Sequence, residues 1–467
     1  MRKTGIIAMA ATASLVAPAA ASADPTAEKL QAALEQVVAE HQLVPGASAY
    51  VDAPRAGLPW TGAAGQFAEG SKQPLSPEDP FRVASIQKIF TAAAILRLVE
   101  EGQLRLDHPI APFLDADQVA RMHVYDGVNY GQQITVGQLL QHTSGLNSHD
   151  ECNEYLVAVA TGPRRRWTPR EQIELMIDCG DPYFRPGEEG KYHYSDTGYV
   201  MLGTVLAKVT GKSYAAALRE LLPLDELGIE RTWHELLEPE RADPRPRAHQ
   251  YYAVVDLTDW DPSFDSWGGG GYVSTVKELT LFIRALFEGR VFEQRSTLRL
   301  MTRPVATTPG KPASEAGYGL GLAHVSYGGV KCIGHAGFWS SVVRYCPSLD
   351  LAFATTTNQA SDEHMETTHA YSARAIVAAV QEADELKPTL KVKPTRTRVH
   401  RSRRFTLTFM AGSRRVGGAR ARIGRRRATT DASGRARLRA RFRRSGIRTA
   451  RACKAGVGCA SAVIRVR

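Results

Sequence analysis

The chain has 467 residues, 43% hydrophobic and 8% aromatic, enough to bury full cores in two or three domains and to exclude disorder throughout. Its net charge of +11 conceals a division: residues 387–467 hold 26 of the 59 Lys and Arg but one of the 48 acids, Asp431, which leaves 33 bases against 47 acids elsewhere. The body is acidic and the tail basic, so the charge of the whole describes neither part.

Taken from the start, Arg2 and Lys3 precede an apolar stretch from Gly5 to Ala17 and the small-residue pattern Ala21-Ser22-Ala23. That is the form of a secretory signal over residues 1–23, with the mature chain beginning near Asp24. The apolar stretch is shorter than the ~20 residues a membrane anchor needs, and no later segment is long enough to span a bilayer. Leu30, Leu34, Val37 and Val38 then form one helical stripe over residues 27–41, and Pro45-Gly46 leads into a strand from Ala47 to Val51. Residues 88–101 read as a second helix ended by Gly102. Residues 103–265 carry helical stretches joined by Pro- and Gly-bearing loops, a largely helical lobe. From Tyr318 to Thr357 the pattern changes to short apolar runs, among them Ser341 to Tyr345 and Leu351 to Thr356, which suit antiparallel strands. Helical character returns over 363–382. Helices at both ends, strands near both ends and a helical insert between them imply an α+β domain over 24–386, with terminal helices on one antiparallel sheet.

Pro388, Pro394 and a run of bases suggest a linker. Beyond it Phe405, Leu407 and Phe409 alternate with threonines, and Asp431-Ala432-Ser433-Gly434 suits a turn. Arg435, Arg437, Arg439, Arg441 and Arg443 then alternate with Ala436, Leu438, Ala440 and Phe442. Because a strand projects successive side chains to opposite faces, one face of this segment is apolar and the other guanidinium. Residues 387–467 are thus expected to form a small all-β, Ig-like sandwich.

An exported chain meets an oxidising compartment, and Cys152, Cys179, Cys332, Cys346, Cys453 and Cys459 fall as three sequence-local pairs. Six cysteines allow 15 connectivities, and neighbour pairing is the expectation. Zinc is the rival, but no Cys-x-x-Cys pair occurs and a lone Cys152 near His149 is a poor ligand set.

Ser85-Ile86-Gln87-Lys88 stands at the start of the second helix. Residues three apart share a helix face, so the lysine amine reaches the serine hydroxyl, which needs a base before it becomes a nucleophile. The helix N-terminus also offers a backbone N–H to an oxyanion. Alone, Ser and Lys at this spacing are a frequent accident. Here Tyr194-Ser195-Asp196 and His335-Ala336-Gly337 follow in order. Together the three resemble the S-x-x-K, Y-x-N and K/H-x-G motifs of the penicillin-binding protein and serine β-lactamase family. Phe81 to Leu106, Leu139 to Leu146, Gly198 to Gly203, Gly270 to Thr275 and Tyr318 to Gly321 also look like family signatures, and the likeness covers most of residues 26–384.

The resemblance implies a β-lactamase/transpeptidase-like fold with Ser85 as nucleophile, Lys88 as its base and Tyr194 as proton carrier to the leaving group. It also implies that His335 holds a substrate carboxylate or polarises the Tyr194 network, and that the N–H groups of Ser85 and Phe338 form the oxyanion hole. Gly337 is expected to leave room for the substrate beside the strand. Two departures matter. Asp196 puts a carboxylate where the family often has an amide, able to pair with Lys88 and to repel an anionic substrate. His335 replaces a lysine, exchanging a fixed charge for a group that titrates near neutral pH.

Several other features are set aside. Gly211-Lys212-Ser213 resembles a phosphate loop but has Leu206 where that pattern needs glycine. His142 reads as a loop buttress, and Gly268 to Gly271 as a tight turn beside the site. The expected function is a secreted D-alanyl-D-alanine carboxypeptidase-like hydrolase acting on a peptidoglycan-derived peptide or a small ester or amide. Esterase, D-aminopeptidase and β-lactamase are alternatives, and a catalytically inactive wall-binding protein is the alternative of another class. No metal and no cofactor is called for. The arginine face is either solvated charge or a surface for an anionic cell-wall polymer; with no aromatic platform among the arginines, nucleic acid is not an expected partner.

Overall fold

In the computed structural model, residues 25–241, 245–307, 316–360, 365–412, 414–454 and 457–467 are described, so the expected signal segment lies outside them. Helix α1 (Pro25–Glu40) buries Leu30, Leu34 and Val37, the stripe expected from their spacing. It leads into a hairpin of β1 (Gly46–Asp52) and β2 (Trp60–Gly65). Helix α2 (Gln87–Glu100) is buried nearly all round, from Gln87 to Leu96, which marks it as the central helix of the domain. Gly102, just past its end, takes the left-handed φ of 73° that closes helices.

The helical lobe includes Val136–Leu140, Asn153–Thr161, Pro169–Cys179, α3 (Asp196–Thr210) and Tyr214–Leu221. After α4 (Val276–Glu288) come β3 (Val305–Ala306), β4 (Gly317–Tyr318), β5 (Ala323–Tyr327), β6 (Val330–Gly337), β7 (Ser341–Cys346), β8 (Leu351–Thr356) and α5 (Met365–Leu386). The strands make one eight-stranded sheet in the order β3-β4-β5-β6-β7-β8-β1-β2. Each pairing is antiparallel, and the β1–β8 register, Ser48 opposite Thr356, joins the two ends of the domain.

Two cores form because the sheet is apolar on both faces. On one face Leu30, Leu34 and Val37 of α1 and Ile376, Val377 and Val380 of α5 cover Val51, Val342 and Phe353. On the other, α2, α4 and the helical lobe bury Ala352 and Ala354 of β8 with Val343 of β7. The chemistry expected from the motifs lies on this second side.

The three disulfides join Cys152 to Cys179, Cys332 to Cys346 and Cys453 to Cys459, the sequence-local pairs. The second links β6 to β7 beside the His335 motif. The first closes 27 residues, worth about 3.5 kcal/mol in the chain-entropy model, and takes Cys152 out of any metal site.

The tail starts without the linker inferred from its prolines. Pro388 opens β9 (Pro388–Lys393) two residues after α5 ends, at the first position of a strand, where its missing N–H costs no ladder bond. There follow β10 (Arg396–Thr397), β11 (Arg403–Ala411), β12 (Arg414–Arg415), β13 (Arg420–Ile423), β14 (Arg426–Thr429), β15 (Arg435–Ala440), β16 (Gly446–Lys454) and β17 (Gly458–Val466). In one sheet β11 pairs with β9, β12 and β15; the other runs β10-β17-β16-β13-β14. Their inner faces share a core of its own, with Leu390, Phe405, Leu407 and Phe409 against Ile423, Ala450, Ala452 and Ile464. Along β15 arginines are exposed and Ala436, Leu438 and Ala440 buried, as the alternation implied. The strand stops at Ala440, however, short of Arg443, because Phe442 turns away to accept a bond from the His400 N–H.

Candidate active site

Ser85 sits on a single 3₁₀ turn, Ala84–Ile86, that runs straight into α2. Ala84 is held at φ 47°, a left-handed conformation unusual for a residue with a Cβ, and this bends the chain sharply enough to present Ser85 at the helix start. The turn is docked on both sides. Val83 N–H bonds to the Tyr272 carbonyl at 2.9 Å, and the Ser341 hydroxyl donates to the Val83 carbonyl at 3.1 Å. Gly337 explains the second contact, since a Cβ there would meet the Val83 carbonyl oxygen at 2.2 Å. The glycine thus lets the end of β6 press against the serine turn. That differs from the expected clearance for substrate, and a side chain at 337 would push the strand away from Ser85.

Lys88, fully buried, is one turn on. Its Nζ donates to Ser85 Oγ at 2.9 Å, to the Gly269 carbonyl at 3.1 Å and to the Asp196 carboxylate. Three acceptors satisfy the three N–H bonds of an ammonium. Asp196 is in the first turn of α3, N-capped by Ser195, and the Lys88 charge holds its carboxyl below the usual range against the opposing effect of burial. A glycine at 269 keeps this contact uncrowded, for a Cβ would stand 3.0 Å from Asp196 Oδ1 and 3.3 Å from Lys88 Nζ.

Burial raises the Tyr194 hydroxyl well above the ordinary value of 10, with the neighbouring Ser85 side chain acting in the opposite direction, so it is a neutral phenol. Its ring lies 5.0 Å from Lys88 Nζ. The buried His142 ring packs on it at 4.2 Å, and His142 Nδ1 accepts from the Ser195 N–H at 3.0 Å, the loop-buttressing role expected of this residue. His335, 5% exposed, is pushed down to about 3 by burial and by Lys88. It is a neutral imidazole, not the group titrating near neutral pH inferred from its residue type. Its Nδ1 donates to the Ala336 carbonyl at 2.6 Å and its Nε2 accepts from the Tyr318 hydroxyl at 2.8 Å. Its ring centroid is 6.2 Å from that of Tyr194. Phe338 is at the mouth, 36% exposed, its ring stacked on Tyr252 at 5.7 Å and 11°.

Sequence reasoning missed two carboxylates. Asp150 is exposed beside Asp196 and accepts from the Ser148 hydroxyl. Crowding by the protein and repulsion from Asp196 push it up to about 7. Its loop is fastened to α3, where the Asp196 N–H donates to Ser148 Oγ at 2.9 Å and the His149 N–H to Thr197 Oγ1 at 2.8 Å. The Cys152–Cys179 bridge anchors the same loop from behind. Asp265 is likewise pushed up to about 7 by burial and by Asp196.

These features have counterparts in known proteins. The Beta-lactamase family model matches residues 30–378. Penicillin-binding protein 4* of Bacillus subtilis is 27% identical over 295 residues, 59% of this chain and 60% of that protein. Esterase EstB of Burkholderia gladioli is 31% identical over 241 residues, 48% of this chain and 57% of its own. The chain thus spans little more than half the length of these two relatives. Among solved structures, a D-stereospecific amidohydrolase from Streptomyces sp. superposes with a TM-score of 0.64 at 30% identity, over 76% of this chain and 98% of that one. D-amino acid amidase from Ochrobactrum anthropi SV3, complexed with L-phenylalanine, does so with 0.63 at 25% identity, over 77% and 98%. With 349 consecutive residues matched to the family model and the amidohydrolase fold covered almost end to end, the chain belongs to the beta-lactamase family and is a serine hydrolase.

Proposed function

We propose that the protein hydrolyses amides or esters of amino acids bearing a free α-ammonium, through an acyl-enzyme on Ser85. The observation that carries the reading is the placement of Lys88 Nζ 2.9 Å from Ser85 Oγ while the Asp196 carboxylate holds its other side. In this reading Lys88 passes a proton to Asp196 and takes the Ser85 proton as Oγ attacks the substrate carbonyl. The N–H groups of Ser85 and Phe338 receive the oxyanion. The C–N or C–O bond then breaks, and the leaving group takes a proton relayed by the neutral Tyr194 phenol. Water, deprotonated by the same pair, releases the acid and restores Ser85.

The charges around Ser85 favour this substrate class over a D-alanyl-D-alanine peptide. A carboxypeptidase must hold a substrate carboxylate, yet Lys88 is committed to Asp196 and His335 is uncharged. Asp150, once ionised, instead presents a negative charge that Asp196, already neutralised by Lys88, does not, and this suits an ammonium. The Phe338–Tyr252 pair offers an apolar surface for the amino acid side chain. The similar structures named for D-stereospecific amide hydrolysis support the D configuration. The disulfides and the signal-like start support action outside the cytoplasm.

Asp150→Asn tests the reading directly. It is expected to lower kcat/KM about 10–100-fold for a D-amino acid amide, the worth of one hydrogen bond to a charged group, and to leave the N-acetylated analogue nearly unchanged. Asp150 is ionised only above about 7, so activity on the free amine rises as pH climbs through that value, and the substitution removes this limb. Equal losses on both substrates would show that Asp150 does not read the ammonium.

A further inference from the structure

The tail is built like a charged plate. Along β9, Lys391 and Lys393 point outward; on β11, Arg404 does; on β15, Arg435, Arg437 and Arg439 do. The register sets these side by side: Arg404 is opposite Arg439, and one row runs from Lys393 through Thr406 to Arg437. Neighbouring strands are about 4.8 Å apart and successive outward residues about 7 Å apart, so the face is a grid of cations at phosphate-to-phosphate distances. Like charges directly opposite each other on a sheet destabilise it. The tail itself supplies no acid to relieve them, because Asp431 is the only one in residues 387–467 and its carboxylate closes a turn, accepting from the Ser433 hydroxyl at 2.6 Å and the Arg435 N–H at 3.0 Å.

A second observation gives the grid a focus. An open concavity of ≈ 670 Å³ lies at its edge, lined by Lys393, Pro394, Thr395, Arg396, Arg404 and Thr406. Three cations and two threonine hydroxyls around one basin form a phosphate-binding set. Arginine supplies 22 of the tail's 26 cations, and its planar fork grips phosphate bidentately where lysine offers a point charge. The aromatic rings of the tail do not join in, since Phe405 and Phe409 are fully buried and Phe442 packs edge-on against Phe405. Without stacking rings on the grid, bases gain nothing there.

We infer that the outer face of the β9–β11–β15 sheet, centred on the Lys393–Arg396–Arg404 basin, binds a linear polyol-phosphate polymer of the cell wall. This does not depend on the hydrolase reading. The test uses the full chain with synthetic poly(glycerol phosphate), and poly-D-glutamate and oligothymidylate of equal charge as comparisons. The poly(glycerol phosphate) binds most tightly, and its affinity falls steeply between about 50 and 500 mM salt as counterions return. The combined Arg404→Gln, Arg437→Gln and Arg439→Gln variant loses roughly tenfold or more in affinity. Turnover of a small ester stays at the wild-type rate, and an unchanged far-UV circular dichroism spectrum reports that the tail, which has a core of its own, remains folded. The corresponding change of Arg422, Arg427 and Arg451 on the opposite sheet has a smaller effect. Absent or salt-insensitive binding by the wild type, tighter binding of either comparison polymer, or equal losses in the two variants would overturn the inference.

Discussion

Ser85→Ala is expected to lower turnover of a D-amino acid amide or activated ester by about 10³–10⁶-fold, and Lys88→Ala by a similar factor, with no further loss in the double variant. Non-additivity follows from geometry. The Lys88 amine has no proton to take without the Ser85 hydroxyl 2.9 Å away, and that hydroxyl stays a poor nucleophile without the amine. Intact-mass spectrometry with an activated ester reads the same point chemically, since the wild type gains one acyl group, mapped to Ser85, and Ser85→Ala gains none. An adduct on another residue, or turnover surviving in Ser85→Ala, would falsify the mechanism. Failure of a penicillin to label the protein would not, because neither Lys88, held by Asp196, nor the uncharged His335 offers a β-lactam carboxylate a free cation.

The largest effect on stability belongs to Asp196→Ala. Lys88 is fully buried in side chain and ion-paired with Asp196, so truncation leaves an ammonium in the core with only the Ser85 oxygen and the Gly269 carbonyl as partners. Breaking a buried pair from one side costs about 3–5 kcal/mol, toward the lower end here because Asp196 is 24% exposed and water can reach the gap. Denaturant unfolding should therefore shift to a clearly lower midpoint with an unchanged slope. Asp196→Asn keeps an acceptor for Lys88 without the charge and should fall between. A variant as stable as the wild type would mean that the ammonium is not held as described.

The covalent logic of the site is legible in the sequence because it is local or periodic. Ser85 and Lys88 are one helical turn apart, and Tyr194 and His335 stand in short motifs of fixed order. The terminal helices, β7, β8 and the alternating face of β15 are legible for the same reason, since period and apolar spacing are properties of the chain alone. What burial and long-range contact decide is not. The charge of His335 depends on its being enclosed next to Lys88, which its residue type does not reveal. Asp150 reaches Asp196 only because Thr197 and Ser148 staple its loop to α3, 46 positions away in the chain. Gly269 contributes a backbone carbonyl, which leaves no trace in the side-chain pattern. The end of β15 is not legible either, because the arginine alternation continues past Ala440, where the strand ends.

The two carboxyls held near 7 also bear on how the fold responds to acid. Asp150 and Asp265 bind protons in the folded chain that an unfolded chain, with carboxyls near 3.8, has already released. Between those values the folded state is the better proton binder. The contribution of these two groups to stability is therefore greatest in acid and is lost as pH rises toward 7. The working cleft weakens the fold under the conditions in which Asp150 is ionised and ready for an ammonium, and a cationic substrate that settles there restores part of what the negative charges remove. Activity and stability are traded against each other within a single cluster of carboxylates, with substrate as the counterweight.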